Sequence, residues 1–125
     1  MAIGFGVQCP KPETRKRIKR RKRRAEDKQK RIVRAQCVKR DGFCRLTGCG
    51  PCSGVSEWCH MGDKKRARTR GMAPEERHTT AGSFMGCTGH HRAYDAGEID
   101  MDPITTDGAD GPLFVRCGDK LALAC

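Results

Sequence analysis

The chain has 125 residues, and its 26 Lys+Arg outnumber its 15 Asp+Glu to give a formal net charge of +11. Only 36% of it is hydrophobic and 5% aromatic, so a core this thin is expected to need a metal or a disulfide to hold it. No run approaches the apolar length that spans a bilayer, which argues against a membrane role. The charge balance favours a polyanion partner without choosing among DNA, RNA and an anionic membrane.

Three regions are expected in chain order: a basic arm or helix over 1–37, a compact core over 38–97 and a tail over 98–125. In the arm, Arg15, Lys16, Arg17, Lys19, Arg20, Arg21, Lys22, Arg23 and Arg24 are interrupted only by Ile18. No apolar face can be built there, and like charges repel, so in isolation the stretch is expected to fray. Ile32, Val33, Ala35, Cys37 and Val38 then offer a narrow apolar stripe. The pattern predicts one helix from about Thr14 to Val38, solvated in its first half and docked in its second. Nine cations in ten residues exceed what solubility needs, which points to phosphate contact. With no aromatic residues for stacking, the arm should grip backbone without reading bases.

Lys39-Arg-Asp-Gly42 reads as a turn. Val55 to Met61 is predicted as a short strand after a Gly- and Cys-rich segment. Gly62 to Arg77 is predicted as a basic loop in which Lys64, Lys65, Arg66, Arg68 and Arg70, with Arg92 further on, could touch phosphate. A helix is expected from about Thr79 or Thr80, carrying Phe84, Cys87, His90, His91 and Tyr94. His78, at the start of that helix, is expected to cap it or face solvent. Ile99-Asp-Met-Asp-Pro-Ile104 alternates like a strand, with 112–116 as partner in a terminal hairpin.

The nine cysteines cannot all pair within one chain. The start, Met1 to Val7, lacks the basic and apolar regions of a signal peptide. Zinc in a reducing cytoplasm is therefore expected over an oxidised secreted scaffold. Cys87 and His90, three apart, would share a helix face, and thiolate and imidazole are zinc ligands. Cys44 and Cys49 could supply the other two, with Cys52 competing because Cys49-Gly-Pro-Cys52 is itself a CxxC. Cys9, Cys37, Cys117 and Cys125 have no evident partner and are expected as free thiols. His91 lies about 100° around the helix from His90 and cannot easily reach the same ion. It is left for a second task beside His60, and a structural zinc behind a reactive His pair points to a nuclease. Asp95, four residues beyond His91, could orient its ring or reach a metal.

Arg40-Asp-Gly-Phe-Cys-Arg-Leu-Thr-Gly-Cys49, Glu57-Trp-Cys-His60 and Cys87-Thr-Gly-His-His91 together resemble the HNH endonucleases, and the 68–80 insert looks most like small phage members. The resemblance implies an α+β fold built on a zinc-stabilised ββα-metal core, with the basic helix before it and the β-hairpin after it. It also implies a host-cell cytoplasmic setting for a phage-encoded chain. It favours Cys44, Cys49, Cys87 and His90 as the structural Zn2+ site, sparing Cys52. It makes His60 the general base and His91 a ligand of Mg2+ or another catalytic divalent ion, in hydrolysis of phosphodiesters in double-stranded DNA. Two positions depart from the family. Cys59 stands where a second metal ligand, Asp or His, is usual, and a small buried residue is the simpler account of it. The middle Asn is absent, with Gly82 or Ser83 in its place. The alternative is a catalytically degenerate, zinc-stabilised nucleic-acid-binding protein.

Overall fold

A computed structural model describes residues 11–61 and 72–125, so Cys9 and the loop cations Lys64, Lys65, Arg66, Arg68 and Arg70 lie outside the described residues. The order is α1 (Arg15–Asp41), β1 (Ser56–His60), α2 (Pro74–Arg77), β2 (Ser83–Cys87), α3 (Thr88–Asp95), β3 (Ile99–Pro103), β4 (Leu113–Cys117) and β5 (Lys120–Ala124). The fold is α+β, with helices around two small antiparallel sheets, β1-β2 and β3-β4-β5.

The long helix forms as expected. The Thr14 hydroxyl accepts from the Arg17 N–H at 3.2 Å and caps the start. Gly42, at φ +71°, ends it beyond the expected Val38, because a left-handed residue there costs glycine little. The nine arm cations are exposed, while Val33 and Cys37 are buried.

The β1-β2 hairpin is the middle layer. Trp58 pairs with Met85 and faces α1, where Val33 and Cys37 pack on them. Cys59 pairs with Phe84 and faces α3, where Tyr94 meets the Phe84 ring edge-on at 5.1 Å. Every residue of β2 is buried, since both faces of its sheet are covered. Such a run does not alternate in polarity, which is why the sequence suggested a helix there. Phe84 and Cys87 are therefore strand residues, and the helix begins only at Thr88. The α2 turn also departs from the expected loop. Pro74 opens it, a position where the missing N–H costs nothing.

The C-terminal part is a three-stranded meander, where a hairpin was expected. Cys117 and Lys120 are joined by a two-residue turn whose Gly118 has φ +60°, and that turn recruits Leu121 to Ala124 as β5. This sheet shares the main core: Ile99, Met101, Leu113 and Val115 pack with Phe84 and Tyr94. Arg45, almost fully buried, donates to the carbonyls of Ala109 and Gly111. Arg40 spans from Asp41 to Asp110 and to the carbonyls of Thr80 and Ser83. These bonds satisfy buried carbonyls and tie the end of α1 to both sheets.

Among the described residues, no helix is long and apolar enough to cross a membrane.

Candidate metal centre and histidine clusters

The joint between β2 and α3 gathers four soft donors. Cys44 lies just past α1, Cys52 in the loop before β1, Cys87 at the end of β2 and His90 in the first turn of α3. Their ligand atoms all lie within 4.8 Å of one another. Cys44 Sγ is 3.3 Å and Cys52 Sγ 3.9 Å from His90 Nδ1. Tetrahedral bonds of about 2.3 Å to sulfur and about 2.0 Å to nitrogen place neighbouring donors roughly 3.5 to 3.8 Å apart, so the cluster has the right size. It could hold a metal ion, and three thiols with one imidazole are consistent with structural zinc.

The backbone preorganises this site. The loop before β1 lies against the start of α3, where Val55 and Ser53 carbonyls accept from the Thr88 and Gly89 N–H groups at 2.9 and 3.2 Å. These bonds satisfy donors that a helix start leaves open. A side chain at Gly89 would run into Ser53, so glycine permits the close approach. Cys87 is itself the cap of α3, its sulfur accepting from the His90 N–H at 3.4 Å. The two ligands therefore meet through a cap, not through a shared helical face. Burial raises the Cys87 thiol, but the N–H groups of His90 and Ser53 together with the Cys52 and Cys44 thiols bring the net value below the ordinary thiol range. Cys52 is pushed up to about 12 by burial and by its contacts with Cys44 and Cys87, so metal binding must displace its proton.

Cys49 is a correction to the expected ligand set. It forms a disulfide with Cys117, across a Cα–Cα distance of 5.7 Å. The short 3-10 turn Thr47–Cys49 packs against β4 and β5, which turns Cys49 away from the metal cluster and leaves Cys52 to complete it. Cys117 is accordingly not a free thiol, whereas Cys37 and Cys125 are.

On the α3 face of the hairpin, Glu57, His91 and Asp95 converge. His91 Nδ1 is 2.8 Å from Glu57 Oε1, and its Nε2 is 3.2 Å from Asp95 Oδ2. The Thr88 hydroxyl donates to the other Glu57 oxygen at 2.6 Å. The Thr88 and His91 bonds hold the Glu57 carboxyl below the usual carboxylate range. Asp95 is exposed and Arg92, one residue past His91, is also exposed. Cys59 points to the same face but is fully buried among Phe84, Cys87 and Tyr94. Burial, with Asp95 and Glu57 nearby, pushes its thiol far above the ordinary range, so it behaves as a small core residue.

His60 belongs to a different cluster, on the α1 face. Its ring lies 4.4 Å from Trp58, and its Nε2 is 3.2 Å from His78 Nδ1. His78 Nε2 is 2.9 Å from Glu26 Oε1 on α1. His78 is thus buried, only 3% exposed, and not the capping or surface residue expected. Burial first, then the neighbouring His78, Arg77 and Lys30, lowers His60 to about 4. Residues two apart on a strand share a face and adjacent ones do not, so Glu57 with His91 and Trp58 with His60 lie on opposite sides of the hairpin. The sequence expectation of both rings in one pocket is not met.

Ser83 pairs with His60 in the ladder. Its hydroxyl donates to the Thr79 carbonyl and contacts Cys37 Sγ at 3.3 Å, so it fastens the 79–82 turn to α1. Between α1 and α2 runs a groove of about 750 Å3, lined by Lys19, Lys22 and Arg23 opposite Pro74 and Glu75. Glu57 and Glu26 are the site residues with no role expected from the sequence, His78 is read there only as a capping or surface residue, and Cys52 is the competing ligand that the structure selects. The CxxC spacing marks Cys52, whereas the partners of Glu57, Glu26 and His78 lie 18 to 52 residues away.

No protein-family model, curated protein or solved structure matches this chain.

Proposed function

We propose that the protein is a metal-dependent endonuclease of the HNH type that hydrolyses phosphodiesters in double-stranded DNA. The observation that carries this reading is the β1-β2-α3 unit. Its joint holds a Cys44/Cys52/Cys87/His90 cluster, and its helix presents His91 and Asp95 one turn apart beside Glu57. A structural ion at the joint would hold α3 rigidly against the hairpin. His91 and Asp95 would hold a divalent ion such as Mg2+, and that ion would supply stabilisation of negative charge on the phosphate and the leaving oxygen. Glu57 orients the His91 ring through Nδ1, leaving Nε2 toward Asp95. Burial keeps His60 neutral and so able to accept a proton from the attacking water, a role that requires the reacting phosphate to reach from the His91 side of β1 to the opposite side. The exposed cations of α1 would neutralise phosphates along the duplex.

A second reading is favoured by one observation: His60 and His91 face opposite sides of β1. A zinc-stabilised DNA-binding module with a degenerate nuclease core needs no convergence of these rings. Supercoiled-plasmid nicking with Mg2+ or Mn2+ separates the two. The nuclease reading expects native protein to nick, and expects His91→Ala to abolish nicking while zinc stays near one per chain. Native protein that cuts no better than His60→Ala, with both still binding DNA, establishes the binding module instead.

A further inference from the structure

His78 and Glu26 have no role in the chemistry described so far, yet they build a continuous chain of polar atoms ending on His60. The bonds run from Glu26 Oε1 to His78 Nε2 at 2.9 Å and from His78 Nδ1 to His60 Nε2 at 3.2 Å. The ends of this chain have different capacities. A carboxylate only accepts, so His78 must donate from Nε2. A neutral His78 then has a bare Nδ1, which must receive a proton from His60 Nε2. A neutral His60 with its proton on Nε2 has a bare Nδ1. One carboxylate on α1 therefore dictates, two rings away, which nitrogen of the strand histidine is basic.

The surroundings hold the chain in place. Lys30 Nζ and Arg77 Nη1 lie 3.7 and 4.0 Å from Glu26 Oε1, which favours its ionised form. Gln29 donates to the His78 carbonyl at 2.9 Å. The Trp58 ring lies against both imidazoles, 4.4 Å from His60 and 5.6 Å from His78.

We propose that Glu26 and His78 are positioning residues that lock His60 in the tautomer with its proton on Nε2, so that Nδ1 is the accepting atom. This rests on the nuclease reading only for the use made of Nδ1; the tautomer itself does not depend on catalysis.

The test uses the full chain with 15N-labelled histidine and long-range proton–nitrogen correlation spectra at pH 7.5. Native His60 is expected as a single tautomer, protonated on Nε2. His78→Leu should turn His60 into a mixture. His78→Gln should restore the native form, because its amide oxygen accepts from His60 and its amide N–H donates to Glu26. Glu26→Gln, a change of the same size at a partly exposed residue of α1, keeps the test alive if the Leu variant fails to fold. Its amide can donate or accept, so mixing is expected there too. A native His60 protonated on Nδ1, or an unchanged tautomer in His78→Leu or Glu26→Gln, overturns the proposal.

In the nicking assay, His78→Leu should lower kcat about 10- to 100-fold with little change in KM, and His78→Gln should recover most of it. Native cutting matched by His78→Leu in rate and pH profile also overturns the positioning role. Spectra as expected from a protein that cuts no DNA would reject the nuclease reading and leave the relay standing.

Discussion

Exchanging the roles of Cys49 and Cys52 gives the sharpest test of this architecture, because the two sulfurs stand three residues apart and do different work. Cys49→Ser removes a disulfide whose partners are separated by 68 residues. The chain-entropy relation for a loop of that length gives about 4 kcal/mol at 25 °C. Measured losses commonly fall short of that figure, so a loss of roughly 2 to 4 kcal/mol is expected, with the bound metal retained. Cys52→Ser removes one of four donors instead. Structural zinc sites bind with apparent free energies on the order of 10 kcal/mol, and that binding is folding energy. The Cys52 variant should therefore lose its metal to a competing chelator and unfold at lower denaturant, with the disulfide intact. Metal content by mass spectrometry, thiol counting and urea titration on both variants read the three quantities separately. A Cys49→Ser protein that sheds its metal, beside a Cys52→Ser protein that keeps it, would refute the ligand assignment. A native protein in which Cys49 and Cys117 both react as thiols, under conditions that do not reduce disulfides, would refute the disulfide.

Three further outcomes are expected. His60 falls to about 4 in the folded protein from an ordinary value of 6.5, so between these pH values the unfolded chain binds more protons. His60 then contributes nothing against unfolding above pH 6.5, and stability drops as pH falls from about 6.5 to 4. Discounted for its partial exposure, the effect is on the order of 1 to 2 kcal/mol. The difference in urea midpoint between native protein and His60→Gln across that window measures it, and parallel pH curves would contradict it. Phe84→Ala empties a fully buried site against Tyr94 and should cost about 3 to 5 kcal/mol by denaturant titration. Removing residues 1–24 should flatten the dependence of DNA affinity on salt, by up to about 8 in the logarithmic slope if all nine arm cations meet phosphate. An unchanged slope would reject the arm as the phosphate clamp.

Much was legible in the sequence by itself because it depended on neighbours along the chain. The basic run of 15–24 excludes an apolar face, and the stripe at Val33 and Cys37 docks α1 as its period requires. The strand at 56–60 and the β3–β4 pairing follow from local alternation. Cys44, Cys87 and His90 were recognisable as soft donors at ligand spacing, and the structure brings them together. Only the tertiary structure decided the rest. The 83–87 segment is a strand because helices cover both of its faces, a fact that local polarity does not encode. Cys49 and Cys52 are nearly equivalent as text, and the packing of one short turn on β4 and β5 sends the first to Cys117 and leaves the second for the metal. His60 and His91 part company because adjacent strand residues face opposite ways, Glu57 drawing one imidazole and His78 the other. Contacts spanning 18 to 52 residues made that choice, and no local window of sequence contains them.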